Sequence, residues 1–287
     1  MAATATATAA AMAPAGAAAE ATAAEGHDPT QAALMEERIV VVDAEDRALR
    51  AGSKRECHLN DNIDGGLLHR AFSVFLFNSE GKLLLQQRSD KKITFPLFWA
   101  NTCCSHPLYT PAELELENAL GVKRAAVRKL GHELGIAAEE LPLDKFQFLT
   151  RIHYVAKEAG TWGEHEIDHV LVIQADVTLN PEPNEVAEAR YFDEAELDHF
   201  FKTAEETGTR VSPWFGHIKE KFLSKWWAAL RSGDLEACAD RHTIHRIPPA
   251  SEATADGPTI PLSGTDGSSA ADASESEAIG GATNSTN

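Results

Sequence analysis

The chain has 287 residues and a formal charge of −18, with 26 Lys and Arg against 44 Asp and Glu. Eleven of those acids lie in residues 1–37 and 248–287, which hold no Lys or Arg, so the middle carries only about −7. That balance excludes a broad cationic surface for nucleic acid, and no stretch approaches the roughly 20 strongly apolar residues of a membrane span.

In chain order, residues 1–35 are an Ala/Thr-rich extension with too little apolar content to pack. It has no acid before Glu20 and no Arg, so a plastid transit peptide and a plain disordered extension on a cytoplasmic protein are equally open readings. Residues 36–246 are expected to form the folded domain. Within them Arg38–Asp43 and Ala71–Phe77 are β-branched or aromatic runs. Asn78-Ser79-Glu80-Gly81 is a turn and Lys82–Arg88 a returning strand, so 71–88 reads as a hairpin. Leu97–Ala100 is strand-like. Pro111, followed by Glu113, Glu115 and Glu117, is expected to open a helix that closes near Gly135. Phe146–Val155 and Asp168–Val177 read as strands. His217–Leu230 places Ile218, Phe222, Trp226 and Leu230 four apart, an amphipathic helix stopped by Gly233. Residues 247–287 are a Ser, Ala, Gly, Thr and Asp tail. Strands on both sides of a long helix predict an α/β (α+β) sandwich with a mixed sheet.

The four cysteines, Cys57, Cys103, Cys104 and Cys238, are not a disulfide framework: two are adjacent, and a chain this long can rely on a core. A reducing compartment is expected. In Asn101-Thr102-Cys103-Cys104-Ser105-His106-Pro107 a thiol lies two residues from an imidazole. A nearby cation would make Cys104 competent in proton transfer; otherwise it is a small buried residue.

In Gly163-Glu164-His165-Glu166 two carboxylates stand at i and i+2, on one face of a strand. They lead into the apolar run Val170-Leu171-Val172-Ile173, where their burial demands a compensating cation or proton. Adding His58, His69 and His106 gives an N/N/N/O/O set suited to Mn, Mg or Zn. His153, His165 and His169 compete for the same role. Lys54, Arg88 and Lys92 form a basic set of the kind a diphosphate needs. Tyr154 and Trp214 are core aromatics unless a cationic intermediate faces them. The whole points to proton chemistry beside a metal, without a redox cofactor.

Arg128-Lys129-Leu130-Gly131-His132-Glu133-Leu134-Gly135-Ile136 resembles a Nudix box in which Lys129 and His132 replace metal-binding glutamates. With Cys57-His58-Leu59-Asn60, Leu67–Ser73, Leu84–Ser89, Asn101–Pro107, Arg151-Ile152-His153-Tyr154 and Trp162–Asp168, residues from about Val41 to Trp227 resemble the type 1 isopentenyl-diphosphate isomerases, a eukaryotic-like branch of the Nudix superfold. The resemblance implies a Nudix-like α/β/α sandwich that interconverts isopentenyl and dimethylallyl diphosphate, with Cys104 and Glu166 as acid/base groups on opposite faces of the substrate. Tyr154 and Trp214 would assist the cation. The metal shell would be His58, His69, His106, Glu164 and Glu166. Glu133 would help hold Mg with the diphosphate, which Lys54, Arg88, Lys92 and Ser105 would bind. The implied partner is a small prenyl diphosphate, with no nucleic acid and no membrane span, on a monomer or weak oligomer. A pyrophosphohydrolase acting on a nucleotide or prenyl diphosphate is the alternative.

Overall fold

The computed structural model describes residues 26–248, so most of the expected extension and tail lies outside the described residues. The described end of the extension is folded. Pro29–Leu34 is a helix capped by the Asp28 carboxylate, which accepts from the Thr30 and Gln31 amides. Met35 behind it packs on Leu59, Ile93 and Trp162. Residues 29–35 of the expected extension are thus a helix and a packed Met35.

Ten strands follow among the described residues: β1 (Arg38–Val42), β2 (Ala48–Ser53), β3 (His69–Phe77), β4 (Leu83–Arg88), β5 (Trp99–Asn101), β6 (Cys103–Ser105), β7 (Gln147–Lys157), β8 (Gly163–Gln174), β9 (Val186–Phe192) and β10 (Ile244–Arg246). The main path runs β10-β7-β8-β3-β1-β2, while β6 pairs with β3 and β4 with β3, β5 and β9. The pairs β3–β8 and β10–β7 are parallel and the others antiparallel, which gives the mixed sheet the sequence predicts. Both faces are covered. Phe75, Phe77, Val170 and Val172 pack under Trp214, Phe215 and Trp226. Phe72, Val74, Leu76, Leu171 and Ile173 pack under Val122, Ala126, Leu130 and Leu134. Strand β3 is buried along its whole length, which is why its sequence does not alternate.

Three expectations are corrected. The 71–88 hairpin survives only at its turn, where Phe77 faces Leu83. Beyond it Thr102 wedges the strands apart: its hydroxyl accepts from Leu76 N at 2.9 Å and donates to Leu84 O at 2.6 Å. The helix expected from Pro111 begins instead at Leu120 and ends at Leu134. Glu113 folds back to accept from Leu108 N at 2.6 Å and to pair with Arg128 at 2.7 Å. The chain then reverses through left-handed Asn118 and Ala119 (φ 49° and 54°). The third correction concerns β8, which starts at Gly163, five residues before the expected Asp168. Glu164 and Glu166 are thus inside the ladder, with Glu166 between His69 and Tyr154. The last long helix runs from Pro213 to Ser232 through a π turn at Lys219–Leu223, and its stop at left-handed Gly233 agrees with expectation.

One buried ion cluster underpins the sheet. Asp46 accepts from Arg70 Nε at 2.7 Å and from His169 Nε2 at 2.6 Å, and Arg70 is 1% exposed. Burial pushes the Asp46 carboxyl up, but His169 and Arg70 outweigh it and bring it to about 2. Because the folded value is depressed, the stability Asp46 supplies is present above the unfolded value of 3.8 and is lost as pH falls through about 2. Asp46→Asn is expected to cost ~3 kcal/mol at neutral pH, because it leaves Arg70 charged and uncompensated. Denaturant titrations should show that difference shrinking between about pH 4 and pH 2.

Candidate active site and metal centre

Five buried side chains converge from four segments. His58 ends the short helix Lys54–His58, which Ser53 caps. His69 opens β3, His106 follows β6, and Glu164 and Glu166 project from one face of β8. One ligand atom from each lies within 4.8 Å of all the others. His58 Nδ1 is 2.6 Å from Lys54 O, a contact that places the ring proton on Nδ1 and leaves a lone pair on Nε2. That lone pair faces Glu164 Oε2 at 2.8 Å, and neither atom has a hydrogen-bond partner. Two facing lone pairs repel unless a cation lies between them. The contacts of Glu166 Oε1 are His69 Nε2 at 3.2 Å and His106 Nε2 at 2.8 Å. Burial holds His69 and His106 below the usual imidazole range, in the neutral form that ligates metals. It pushes Glu164 and Glu166 up, and only positive charge placed among the imidazoles brings both below the usual carboxylate range. Three imidazoles and two carboxylates fit a borderline divalent ion.

The competing histidines have other partners. Arg246 donates to His153 Nδ1 at 2.7 Å, His153 Nε2 meets His165 Nε2 at 2.9 Å, and His165 Nδ1 meets Leu67 O at 2.9 Å. This chain of hydrogen bonds occupies all four ring nitrogens. His169 belongs to the Asp46 cluster.

Alternation along β6 sends its two thiols to opposite sides. Cys103 faces the helix Leu120–Leu134, its Sγ 3.5 Å from Glu133 Oε2. Cys104 faces Trp214, whose indole N–H donates to Sγ at 3.0 Å, while the thiol donates to Asn101 Oδ1 at 2.9 Å. Burial and then the Asp168 charge push the Cys104 thiol up, so at neutral pH it keeps its proton. The Tyr154 hydroxyl donates to Glu166 Oε2, and its ring stacks on Trp214 with centroids 6.1 Å apart.

Cys104, Tyr154, Glu164, Glu166 and Trp214 line one pocket. The same pocket is lined by Lys54, Arg88, Lys92, Ser105, His106 and Glu133, so the basic set read from sequence is brought together. Lys92 pairs with Glu185 at 2.6 Å, and burial lowers the ammonium to about 8. Glu133 Oε1 lies 3.2 Å from Lys129 Nζ, and its Oε2 accepts from Gln86 at 3.0 Å. A buried ammonium thus stands where a hydrolase-type box would supply another carboxylate.

Sequence reasoning missed two acids. Asp168 accepts from Ser73 Oγ at 2.7 Å, and that hydroxyl lies 3.7 Å from Cys104 Sγ. Its signal was available, because Asp168 continues the i, i+2 series of Glu164 and Glu166. Glu185 lies in an irregular loop and reaches Lys92 and Gln31 only through the fold.

The mixed sheet covered on both faces, with Glu133 carried on the helix beside it, belongs to a NUDIX domain: that family matches residues 67–215. The chain is 52% identical to isopentenyl-diphosphate Delta-isomerase 1 of Bos taurus over 220 residues, covering 77% of this chain and 96% of that one. It is 52% identical over 227 residues to isopentenyl-diphosphate Delta-isomerase of Dictyostelium discoideum, covering 77% and 94%. Against isopentenyl-diphosphate Delta-isomerase II, chloroplastic, of Arabidopsis thaliana, identity is 51% over 230 residues, covering 79% and 81%. The chain belongs to the isopentenyl-diphosphate Delta-isomerase family.

Proposed function

We propose that this chain interconverts isopentenyl and dimethylallyl diphosphate for isoprenoid synthesis. The observation that carries the chemistry is one buried pocket whose walls hold a protonated thiol pinned by Trp214 and an ionised carboxylate pinned by Tyr154. Protonation of the terminal CH2 of isopentenyl diphosphate forms a C–H bond and moves the positive charge to the tertiary carbon. Loss of a proton from the adjoining CH2 then places the double bond there, so atoms and charge balance without a redox partner. Cys104 is assigned to one transfer and Glu166 to the other, on opposite faces of the substrate. Between them the tertiary cation meets the Trp214 face, the Tyr154 ring and a carboxylate, which stabilise it while the closed pocket excludes water that would trap it.

His58, His69, His106, Glu164 and Glu166 fit a divalent metal, assigned as Mn, Zn or Mg, which offsets the clustered carboxylates and tunes their protonation. Glu133 is assigned to a Mg ion that accompanies the diphosphate. Lys54, Arg88, Lys92 and Ser105 anchor that diphosphate remotely, so its binding energy positions the small hydrocarbon end. Pyrophosphohydrolysis is disfavoured, because Lys129 and His132 stand where further carboxylates would be needed and Cys104 would have no task.

The test is incubation of the purified protein with isopentenyl diphosphate and Mg, followed by NMR. Dimethylallyl signals are expected; free phosphate, or an unchanged spectrum, overturns the reading. No helix among the described residues is long and apolar enough to cross a membrane. We assign a monomer or weak oligomer, in the plastid with the cytoplasm as alternative. Sizing of the full chain and mapping of its mature N-terminus check both assignments.

A further inference from the structure

The space among the pocket's lining, counted with its opening to solvent, is about 380 Å³, so the position of its walls decides how a five-carbon diphosphate is held. One wall is the connection between β4 and β5, residues 89–98, which carries Lys92 and closes over Arg88. It is held from inside by Arg88, whose Nε donates to Thr94 O at 3.2 Å and Phe95 O at 3.1 Å and whose NH2 group donates to Thr94 O at 2.8 Å. Along this turn Phe95 and Leu97 stand in the left-handed region, at φ 48° and 63°, where non-glycine residues are strained. The same turn places the Phe95 ring edge-on to Trp214, with centroids 5.2 Å apart at 89°, and aims the Phe95 N–H outward. That N–H donates to Glu158 Oε2 at 2.7 Å. Glu158 lies just past the end of β7, and its own N–H donates to Trp162 O at 3.2 Å, bracing the β7–β8 turn. One carboxylate therefore ties the strained anion-binding segment to the two strands that carry Tyr154, Glu164 and Glu166.

We propose that Glu158 is a positioning residue: by accepting the Phe95 N–H it latches residues 89–98 in place, and so fixes both Lys92 on the diphosphate and the Trp214 ring on the hydrocarbon. This rests on the pocket being a prenyl diphosphate site. Glu158 touches neither the five-residue metal cluster nor Cys104, so a defect confined to anion binding and turnover separates the latch from general damage.

The full-length, metal-loaded protein is compared with its Glu158→Ala and Glu158→Gln variants. Measurements are KM and kcat for isopentenyl diphosphate, calorimetric affinity for inorganic pyrophosphate with Mg, and Mn²⁺ affinity of the His/Glu cluster. Glu158→Ala should weaken pyrophosphate binding and raise KM at least tenfold, lower kcat at least tenfold, and leave Mn²⁺ affinity within twofold. Glu158→Gln keeps an acceptor oxygen and should stay within threefold of wild type throughout. Unchanged pyrophosphate affinity in Glu158→Ala, or a glutamine variant as impaired as the alanine one, overturns the latch. Should Glu158→Ala fail to fold, Glu158→Asp, one methylene short of Phe95, carries the same expectations. The pyrophosphate measurement does not depend on turnover, so it tests the latch even if wild type gives no dimethylallyl product and the isomerase reading fails.

Discussion

Cys104→Ala is expected to lower isomerisation at least 10³-fold while leaving the fold intact, since a positioned acid/base group contributes typically 10²–10⁴-fold. The size of the effect follows from what remains on that wall. Trp214 offers only an N–H that loses its acceptor, and Asn101 only an amide. Ser73 Oγ lies 3.7 Å from the sulfur and donates its proton to Asp168 at 2.7 Å, so it is engaged elsewhere. Removing one sulfur from a half-buried position costs about 1 kcal/mol of stability, so thermal unfolding and Mn²⁺ binding should be nearly those of wild type. The decisive measurement is deuterium uptake in D₂O. Wild type should place solvent deuterium in product and in recovered substrate, whereas Cys104→Ala should leave both unlabelled. Labelling at wild-type rates in the variant would remove Cys104 from the chemistry. Cys104→Ser should retain a small fraction of activity, because its hydroxyl occupies the same place but gives up a proton far less readily than a thiol.

The thiol, the carboxylate pair and the histidines were legible in sequence because each depends on residue type and short spacing. A strand alternates, so Glu164 and Glu166 had to share a face, and β8 supplies that face. Residue type and spacing did not choose among six histidines; the family resemblance did. Only three-dimensional hydrogen bonding shows that His153 and His165 satisfy each other and that His169 serves Asp46. Fold class followed from element order, but strand partners did not. A local reading of 71–88 sees a hairpin, and the wedge that opens it is Thr102, a residue 14 positions beyond the expected hairpin's end. The late start of the helix Leu120–Leu134 has the same origin. Glu113 is a good helix former, yet its pairing with Arg128 and with the Leu108 amide outweighs a propensity worth a few tenths of a kcal/mol. Arg128 in turn donates to the His106 carbonyl at 3.1 Å, so the lost helical turn helps to place a metal-cluster histidine.

Glu166→Gln should produce a comparably large loss for a different reason, and its contrast with Glu164→Gln tests how the cluster divides its labour. Glu166 uses both oxygens: Oε1 meets His69 and His106, and Oε2 receives the Tyr154 hydroxyl. An amide in its place cannot take up a proton from carbon, and its NH2 group must face either two imidazoles or a hydroxyl donor. Turnover should fall at least 10³-fold, and divalent-ion affinity should fall as one of five ligand atoms is neutralised. Glu164 has no such second task. Its Oε2 faces only His58 Nε2, lone pair to lone pair, so Glu164→Gln should weaken the ion and affect turnover only through it. Excess Mn²⁺ should therefore restore much of the activity of Glu164→Gln and almost none of that of Glu166→Gln, with occupancy of both followed by electron paramagnetic resonance. Equal rescue of the two variants would show that Glu166 acts only as a ligand, and the proton would then need a different acceptor on that face of the pocket.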